Sequence, residues 1–303
     1  MAKRSKGTVG VVGLGNMGGS YARHLAKAGW RVLGFDPDAA RKRAAKRAGV
    51  ELAADVKTLA AAAPVIILSL PSAKALEETV AAIAADKLPA KTIVETSTFK
   101  IAEKQQAEQA LRKAGHVMLD CPVSGTGAQA AVKDIVVYAS GDKKAIAKLK
   151  PMFGVFSRAA YDVGAFGNGS RMKYIANLLV TIHNVASAEA MVMGLKAGLD
   201  PQMVYDLISA GVGTSRVFEV RGPMMVKDKY ENASMSIQLY QKDISVIDDF
   251  AKGLGVPTPL FSATIPIYAE ALASGLGDRD TAAVCAVLEK QAGVKRRKAG
   301  KRG

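Results

Sequence analysis

The fold of the first half of the chain is decided by residues 8–18, Thr8-Val9-Gly10-Val11-Val12-Gly13-Leu14-Gly15-Asn16-Met17-Gly18. An apolar, β-branched run is followed by a Gly-x-Gly-x-x-Gly motif and then by a helix-like run. The first glycine permits a tight turn, the second lets a pyrophosphate approach the backbone, and the third lets helix pack closely on strand. The helix then offers free N–H groups to the phosphates. This context favours a dinucleotide site over a glycine-rich turn without a ligand. The residues assigned to the cofactor are Gly13, Leu14, Gly15, Asn16, Met17 and Gly18.

Asp36 ends the second strand-like run, 21 residues after Gly15. An acidic side chain at this place accepts hydrogen bonds from the adenosine ribose. Its charge repels a 2′-phosphate and so favours NAD over NADP. Arg41 and Arg43 follow and could cover a phosphate instead, although a solvated helix face is the commoner place for such residues. We expect NAD as the cofactor, with NADP as the alternative.

Strand-like and helix-like runs alternate through the first half of the chain. The short apolar runs are rich in β-branched residues, and the segments between them are rich in Ala, Lys and Glu. The predicted strands are Thr8–Val12, Arg31–Phe35, Val65–Leu70, Thr92–Glu95, His116–Asp120 and Asp134–Ala139. Such alternation predicts a parallel sheet covered by helices on both faces.

From about Asn168 onwards the pattern is helical only. Ser170–Lys196 predicts one long helix, on the order of 40 Å at about 1.5 Å per residue. Shorter helices are predicted at Pro201–Ser209, Ile237–Leu254, Pro259–Ser274 and Thr281–Gln291. We therefore expect an α/β Rossmann-type domain (residues 1–166), followed by an all-α domain joined to it by the long helix (167–294). A basic, disordered tail (295–303) is expected to follow.

Composition excludes several classes of protein. The 303 residues are 49% hydrophobic and 23% charged, and two of them are cysteines. These values are ordinary for a globular protein, and two cysteines are too few for a disulfide framework or a zinc cluster. No run approaches ~18 consecutive apolar residues, and the amino terminus lacks the apolar core of a secretion signal. We expect a cytoplasmic protein without membrane attachment.

Basic residues near the two ends carry much of the net charge of +15. They are Lys3, Arg4, Lys6, Lys295, Arg296, Arg297, Lys298, Lys301 and Arg302. Arms of this kind can dock on nucleic acid. No aromatic residue interleaves with them as a single-strand binder would require, so solvated ends are favoured. A non-catalytic dinucleotide-binding protein that docks on nucleic acid through these arms is the alternative.

The three histidines do not form a catalytic or metal-binding pattern. His24, His116 and His183 have no partner acid beside them and no metal-ligand spacing. This disfavours histidine-based and metal-dependent dehydrogenases, and we expect no metal site. Lysine is then the natural group for proton transfer.

Lys173 and Asn177 are four residues apart and share one face of the long helix. The apolar neighbours of Lys173 predict a partly desolvated ammonium with a lowered pKa, which suits acid/base work. A solvated surface lysine is the alternative. Asp120-Cys121-Pro122-Val123-Ser124-Gly125-Thr126-Gly127 follows another predicted strand. Such a loop either offers a hydroxyl and N–H groups to an anion or merely ends the strand.

Four motifs in this order resemble the β-hydroxyacid dehydrogenase family, which includes 3-hydroxyisobutyrate dehydrogenase, tartronate semialdehyde reductase and relatives of 6-phosphogluconate dehydrogenase. They are the glycine motif, the loop 120–126, the segment Gly167–Asn177 and the pair Lys242-Asp243. The resemblance covers about residues 7–293. It implies NAD(P)-dependent hydride transfer between nicotinamide and a small 3-hydroxy acid or its semialdehyde. An imine reductase-like enzyme is an alternative that the retained lysine disfavours.

The resemblance also implies roles for single residues. Lys173 matches the catalytic lysine, and Asn177 matches the asparagine that orients the substrate. The loop that binds the substrate carboxylate corresponds to Ser124, Gly125 and Thr126, where Thr126 replaces the usual second glycine. The cofactor-side residues correspond to Leu70, Pro71, Thr98 and Lys242. The family fold implies a homodimer or homotetramer built through the helical domains, acting on a small carboxylate-bearing substrate.

Arg216 lies in a segment, Gly211–Glu219, that we expect to face the substrate cleft. Its guanidinium is predicted either to meet a second polar group of the substrate or to pair with Glu219.

Overall fold

The computed structural model describes residues 6–296. They form two compact units that divide between Lys173 and Tyr174. The sequence predicts the boundary a few residues earlier, between residues 166 and 167, whereas the division falls within helix α8 (Asn168–Lys196). Met1–Ser5 and most of the predicted tail, residues 297–303, lie outside the described residues.

The first unit contains a six-stranded sheet in the order β3-β2-β1-β4-β5-β6. Its strands are β1 (Thr8–Val12), β2 (Arg31–Phe35), β3 (Glu51–Leu52), β4 (Val65–Leu68), β5 (Thr92–Glu95) and β6 (Val117–Asp120). All neighbouring pairs are parallel, which confirms the predicted Rossmann-type sheet. The chain order reverses between β1 and β4, and ligands bind at the carboxyl ends of strands beside such a point.

Helices cover both faces of this sheet. The connecting helices are α1 (Asn16–Lys27), α2 (Ala39–Arg47), α3 (Val56–Ala62), α4 (Ala73–Ala84) and α5 (Ile101–Lys113). Alternate residues of one strand point to opposite faces. Ile67 accordingly belongs to one buried cluster, and Ile66 and Leu68 belong to the other.

A second sheet, in the order β7-β8-β9, corrects the prediction for Asp134–Ala139. Its strands are β7 (Val123–Ser124), β8 (Val136–Ala139) and β9 (Ala159–Asp162), with α6 (Gly127–Ala131) and α7 (Lys143–Phe156) between them. The predicted strand is β8, and it pairs antiparallel with β7 instead of joining the parallel sheet. The physical reason is the short connection, because a turn and one short helix return the chain beside β7, whereas a parallel crossover needs a longer one.

The second unit is built from helices. After α8 these are α9 (Pro201–Ala210), α10 (Arg216–Lys227), α11 (Ile237–Gly253), α12 (Pro259–Ala273) and α13 (Val284–Gln291), with a 3₁₀ turn at Thr281–Ala283. The sequence does not predict α10, which contains Gly222 and Pro223. A Cβ on Gly222 would lie 2.5 Å from Cδ2 of Tyr205, so the glycine permits close packing on α9.

Arg296 belongs to the predicted tail but is bound within the second unit. Its Nε donates to Glu289 of α13 at 2.9 Å. Nη1 and Nη2 donate to the carbonyl oxygens of Val226 and Met225 in α10, at 2.9 and 2.6 Å. The guanidinium therefore joins two helices.

Helix α8 is, among residues 6–296, the helix long and apolar enough to cross a membrane by length and composition. It has 29 residues, and its most apolar window has a mean hydropathy of 1.4. Core helices of globular proteins meet the same criteria. Within the second unit α8 also buries polar groups, since Thr181 bonds to Tyr240 and Asn184 to Tyr268. Length and composition alone therefore do not indicate a membrane span.

Candidate functional site

The glycine-rich loop lies between β1 and α1, at the carboxyl edge of the parallel sheet. Gly13 has a φ of 87°, and a Cβ there would lie 2.1 Å from the carbonyl oxygen of Ser69, so only glycine fits. At Gly15 the nearest neighbours of a Cβ would be guanidinium atoms of Arg41, 3.8 Å away. The backbone at Gly15 therefore lies open to a ligand.

Helix α1 begins with its backbone donors uncapped. Its N-cap residue is Gly15, which has no side chain to bond to the first N–H groups, and its first turn has no acidic residue. The first N–H groups of a helix have no partner within the helix and carry a partial positive charge. The open loop and the uncapped helix together fit the pyrophosphate of a dinucleotide.

Asp36 ties the end of β2 to the glycine loop. The residue is 1% exposed. Its Oδ2 accepts a hydrogen bond from the Leu14 N–H at 2.7 Å, and its Oδ1 accepts one from the Asp38 N–H at 2.9 Å. Nη1 of the exposed Arg41 lies 3.6 Å from Oδ2. Asp36 thus has a structural task besides the predicted contact with the ribose, and Arg41 lies beside both Asp36 and Gly15.

The loops after β4 and β5 are joined at the same edge of the sheet. The Leu70 N–H donates to Ser97 Oγ at 2.8 Å. Thr96 Oγ1 donates to the carbonyl oxygen of Leu68 at 2.7 Å. The predicted cofactor-side residues Leu70, Pro71 and Thr98 therefore lie on two loops that hydrogen bonds hold together.

The predicted substrate loop lies against the dinucleotide loop. Ser124 ends β7 and Gly125 has a φ of 130°. A Cβ on Gly127 would lie 2.9 Å from the Cβ of Asn16, so the two loops touch. Thr126 is the N-cap of α6, because its Oγ1 accepts from the Gln129 N–H and its own N–H donates to Gln129 Oε1 at 3.0 Å. This capping box explains a threonine where the family has glycine.

The first turn of α8 is anchored at the end of β6. The backbone N–H of Ser170 donates to Asp120 Oδ2 at 2.8 Å, and its hydroxyl donates to Oδ1 at 2.9 Å. Lys173 follows one turn later and is 9% exposed. This anchor brings the helical turn that carries Lys173 to the edge that holds the glycine loop.

In the second unit, one carboxylate holds two of the predicted site residues. Asn177 Nδ2 donates to Asp243 Oδ2 at 3.0 Å. Lys242 Nζ donates to Asp243 Oδ1 at 2.7 Å. The sequence predicts no role for Asp243, and the structure shows that it binds both Asn177 and Lys242. Its position directly after Lys242 is the feature of the sequence that could have indicated this role.

Other candidate groups have structural surroundings. Burial raises the pKa of the Cys121 thiol well above its usual value, so little thiolate forms. Burial also lowers the pKa of His24, whose Nε2 donates to the Ala130 carbonyl oxygen at 3.0 Å. Arg216 pairs with Glu219 at 2.9 Å, which is the second of its two predicted alternatives. Within residues 6–296, no group of three or more His, Cys, Asp or Glu side chains could hold a metal ion.

Known proteins resemble the chain along almost all of its length. Residues 8–165 match the NAD binding domain of 6-phosphogluconate dehydrogenase, and residues 167–288 match the family described as NAD-binding of NADP-dependent 3-hydroxyisobutyrate dehydrogenase. L-threonate dehydrogenase of Haemophilus influenzae is 31% identical over 286 residues, which cover 93% of this chain and 95% of the relative. For 2-(hydroxymethyl)glutarate dehydrogenase of Eubacterium barkeri the identity is 30% over 292 residues, 94% and 96% of the two chains. The crystal structure of 3-hydroxyisobutyrate dehydrogenase from Salmonella typhimurium has a TM-score of 0.85 and 29% identity, covering 92% of this chain and 99% of that one.

Proposed function

This chain belongs to the β-hydroxyacid dehydrogenase family and is an NAD(P)-dependent oxidoreductase of hydroxy acids, and we propose that Lys173 is its general acid/base. The bound nicotinamide supplies the hydride chemistry, while the protein supplies positioning and proton transfer. In oxidation Nζ of Lys173 takes the proton of the substrate hydroxyl. In reduction the same atom returns a proton to the carbonyl oxygen.

The observation that carries this proposal is the anchor between Ser170 and Asp120. These hydrogen bonds hold the first turn of α8, and with it the buried Lys173, at the edge of the sheet where helix α1 begins. Lysine is one of the side chains that can act as general acid or base, and at 9% exposure this one is largely shielded from bulk water.

The remaining site residues divide between substrate and cofactor. We assign the Ser124 hydroxyl and the Gly125 backbone to the substrate carboxylate, in a loop that Thr126 shapes by capping α6. Asn177, held by Asp243, orients the substrate. The proposed cofactor contacts are Gly13, Leu14, Gly15, Asn16, Met17, Gly18, Asp36, Leu70, Pro71, Thr98 and Lys242.

The proposed substrate is a small 3-hydroxy acid or its semialdehyde. We propose that the protein assembles as a homodimer or homotetramer and that it is located in the cytoplasm.

An NAD- and NADP-coupled activity screen tests the reaction. Its panel includes L-threonate, 2-(hydroxymethyl)glutarate and 3-hydroxyisobutyrate, the substrates in the names of the relatives. We expect turnover of at least one hydroxy acid, with Ser124→Ala raising its KM. Turnover of cyclic imines alone would contradict the proposal.

The cofactor preference gives a prediction for Asp36. NAD(H) is expected to bind more tightly than NADP(H), because the carboxylate meets the ribose hydroxyls and repels a 2′-phosphate. Hydrogen bonds to a charged group contribute about 1.5–3 kcal/mol, so Asp36→Asn should shrink the preference by about tenfold or more. Asparagine keeps one of the two acceptor oxygens that bind the N–H groups of Leu14 and Asp38, and the loss of the other should affect both cofactors alike. Calorimetric titration of both cofactors measures the ratio.

Asp55→Asn is the matched control for this test. Asp55 is exposed and caps α3, and asparagine caps a helix equally well, so this change should leave the ratio as it is. Tighter binding of NADP(H) by the unmodified protein would refute the assignment.

A further inference from the structure

Lys104 of helix α5 is a fully buried lysine that the proposed reaction does not use. Its Nζ lies 2.6 Å from Glu95 Oε2 and 2.8 Å from Asp120 Oδ1, and all three side chains have no exposed surface. Nζ also donates to the carbonyl oxygen of Ser97 at 2.6 Å. An ammonium has three donors, and three oxygen atoms surround this one. Lysine is almost never fully buried unless it is paired, and here the two carboxylates provide that pairing.

The electrostatics keep Lys104 charged. Burial alone lowers the pKa of its ammonium, but the carboxylates of Asp120 and Glu95 outweigh burial and raise that pKa. Burial raises the pKa of Glu95, against the effect of Lys104. Removal of the cation would therefore leave two acidic groups together in the interior, which is costly.

One side of this cluster holds the loops assigned to the cofactor. Glu95 Oε1 accepts a hydrogen bond from the Ser97 N–H at 2.7 Å. Ser97 Oγ in turn accepts one from the Leu70 N–H at 2.8 Å. The ammonium thus holds the loop of Thr98 through Ser97 and Glu95, and the bond from Ser97 to Leu70 extends this restraint to the loop after β4, also at the carboxyl edge of the sheet.

The other side holds the beginning of α8. Asp120 accepts hydrogen bonds from the backbone and the hydroxyl of Ser170, at 2.8 and 2.9 Å. Ser140 Oγ accepts from the Gly169 N–H at 3.0 Å and donates to the carbonyl oxygen of Asp120 at 3.0 Å. The same carboxylate that binds Lys104 therefore fixes the turn from which Lys173 projects.

We propose that Lys104 is a positioning residue for hydride transfer, whose buried ammonium fixes the cofactor-side loops and the first turn of α8 relative to one another. It acts through Glu95, Ser97 and Asp120. This inference rests on the proposed function, because it takes Leu70 and Thr98 as neighbours of the nicotinamide and Lys173 as the acid/base. Small misplacements of such groups are expensive, since about 1 Å can cost 10²-fold in rate.

Lys104→Met tests the inference by comparing two ligands. NADH carries the nicotinamide, whereas ADP-ribose lacks it and rests on the glycine loop and Asp36. In the variant, calorimetry should show NADH affinity reduced by about tenfold while ADP-ribose affinity stays the same, because only the nicotinamide-side loops lose their tie. The kcat for a substrate found in the screen should fall by about tenfold or more, with the smaller change in the substrate KM. Lys91→Met is the control. Lys91 is also buried, with 5% exposure, but it lies at the opposite, amino end of β5. NADH and ADP-ribose should bind this variant as they bind the unmodified protein.

The double variant Lys104→Met/Glu95→Gln guards against a failure to fold. It removes one buried carboxylate together with the cation and so restores the net charge of the cluster. We expect it to be more stable than Lys104→Met and still to lose NADH affinity selectively.

A parallel loss of NADH and ADP-ribose affinity in a variant would overturn the inference in favour of general destabilisation. Unchanged NADH affinity and kcat in the double variant would overturn it as well. Failure of the proposed function is a separate result, because normal turnover in Lys173→Ala leaves the ligand comparison at Lys104 unaffected.

Discussion

Lys173→Ala should lower kcat by at least about two orders of magnitude, because a positioned side chain that transfers a proton typically contributes about 10²–10⁴-fold to rate. Lys173→Arg should fail too, since a guanidinium stays charged and cannot act as a base. The affinity for NADH should change little in either variant, because the proposed contacts of the dinucleotide lie mainly on residues 13–98. Steady-state kinetics and calorimetric titration of NADH, measured on the same preparations, check the prediction.

Lys196→Ala is the matched control for Lys173. Lys196 lies at the other end of α8, where its exposed Nζ donates to the Ala292 carbonyl oxygen at 2.7 Å, so kcat should stay near that of the unmodified protein. Near-normal turnover in Lys173→Ala would show that another group moves the proton. Loss of NADH affinity together with turnover would mean that the substitution damages the fold, and the assignment would lose its support.

Arg296→Ala should lower the free energy of unfolding by about 2–3 kcal/mol, because it leaves the buried Glu289 without its cation and the last carbonyls of α10 without the Arg296 donors. Urea denaturation followed by circular dichroism measures the change. Lys295→Ala is the control at the neighbouring, exposed position, where surface substitutions stay within about 0.5 kcal/mol. Equal stability of the two variants would contradict the prediction and return Arg296 to the solvated tail.

The parallel sheet could be predicted because its strands are continuous apolar runs, such as Val65–Leu68, which are typical of strands buried on both faces. Two short strands could not be predicted, because they are exposed or partly exposed and lack such an apolar run. They are Glu51–Leu52 and Ala159–Asp162. Helix α10 was missed since Gly222 and Pro223 are ordinary helix breakers. The start of α10 does have a helix signal in the sequence, because Ser215 is its N-cap and accepts a hydrogen bond from the Phe218 N–H.

The candidate site also contains residues that could be predicted from the sequence and one that could not. Gly13 and Gly15 could be recognised because the tight turn requires the first glycine and the close approach of a phosphate requires the second, at the spacing of the Gly-x-Gly-x-x-Gly motif. The buried environment of Lys104 could not be recognised from the sequence, because helix α5 also carries Glu103 and other polar residues that are typical of a solvated face. Burial of one lysine among such neighbours depends on where β5 and β6 place Glu95 and Asp120, and this is a property of the three-dimensional structure.

The hydrogen bonds of Asp36 to Leu14 and Asp38 have a thermodynamic consequence for cofactor binding. The bond to Leu14 orders the glycine loop before any ligand binds, and the bond to Asp38 holds the carboxylate in place, so association does not have to supply the conformational entropy of that ordering. Weakening the anchor would therefore reduce affinity by more than the loss of the proposed ribose contact, and the additional loss would appear in calorimetry as a more unfavourable entropy of binding.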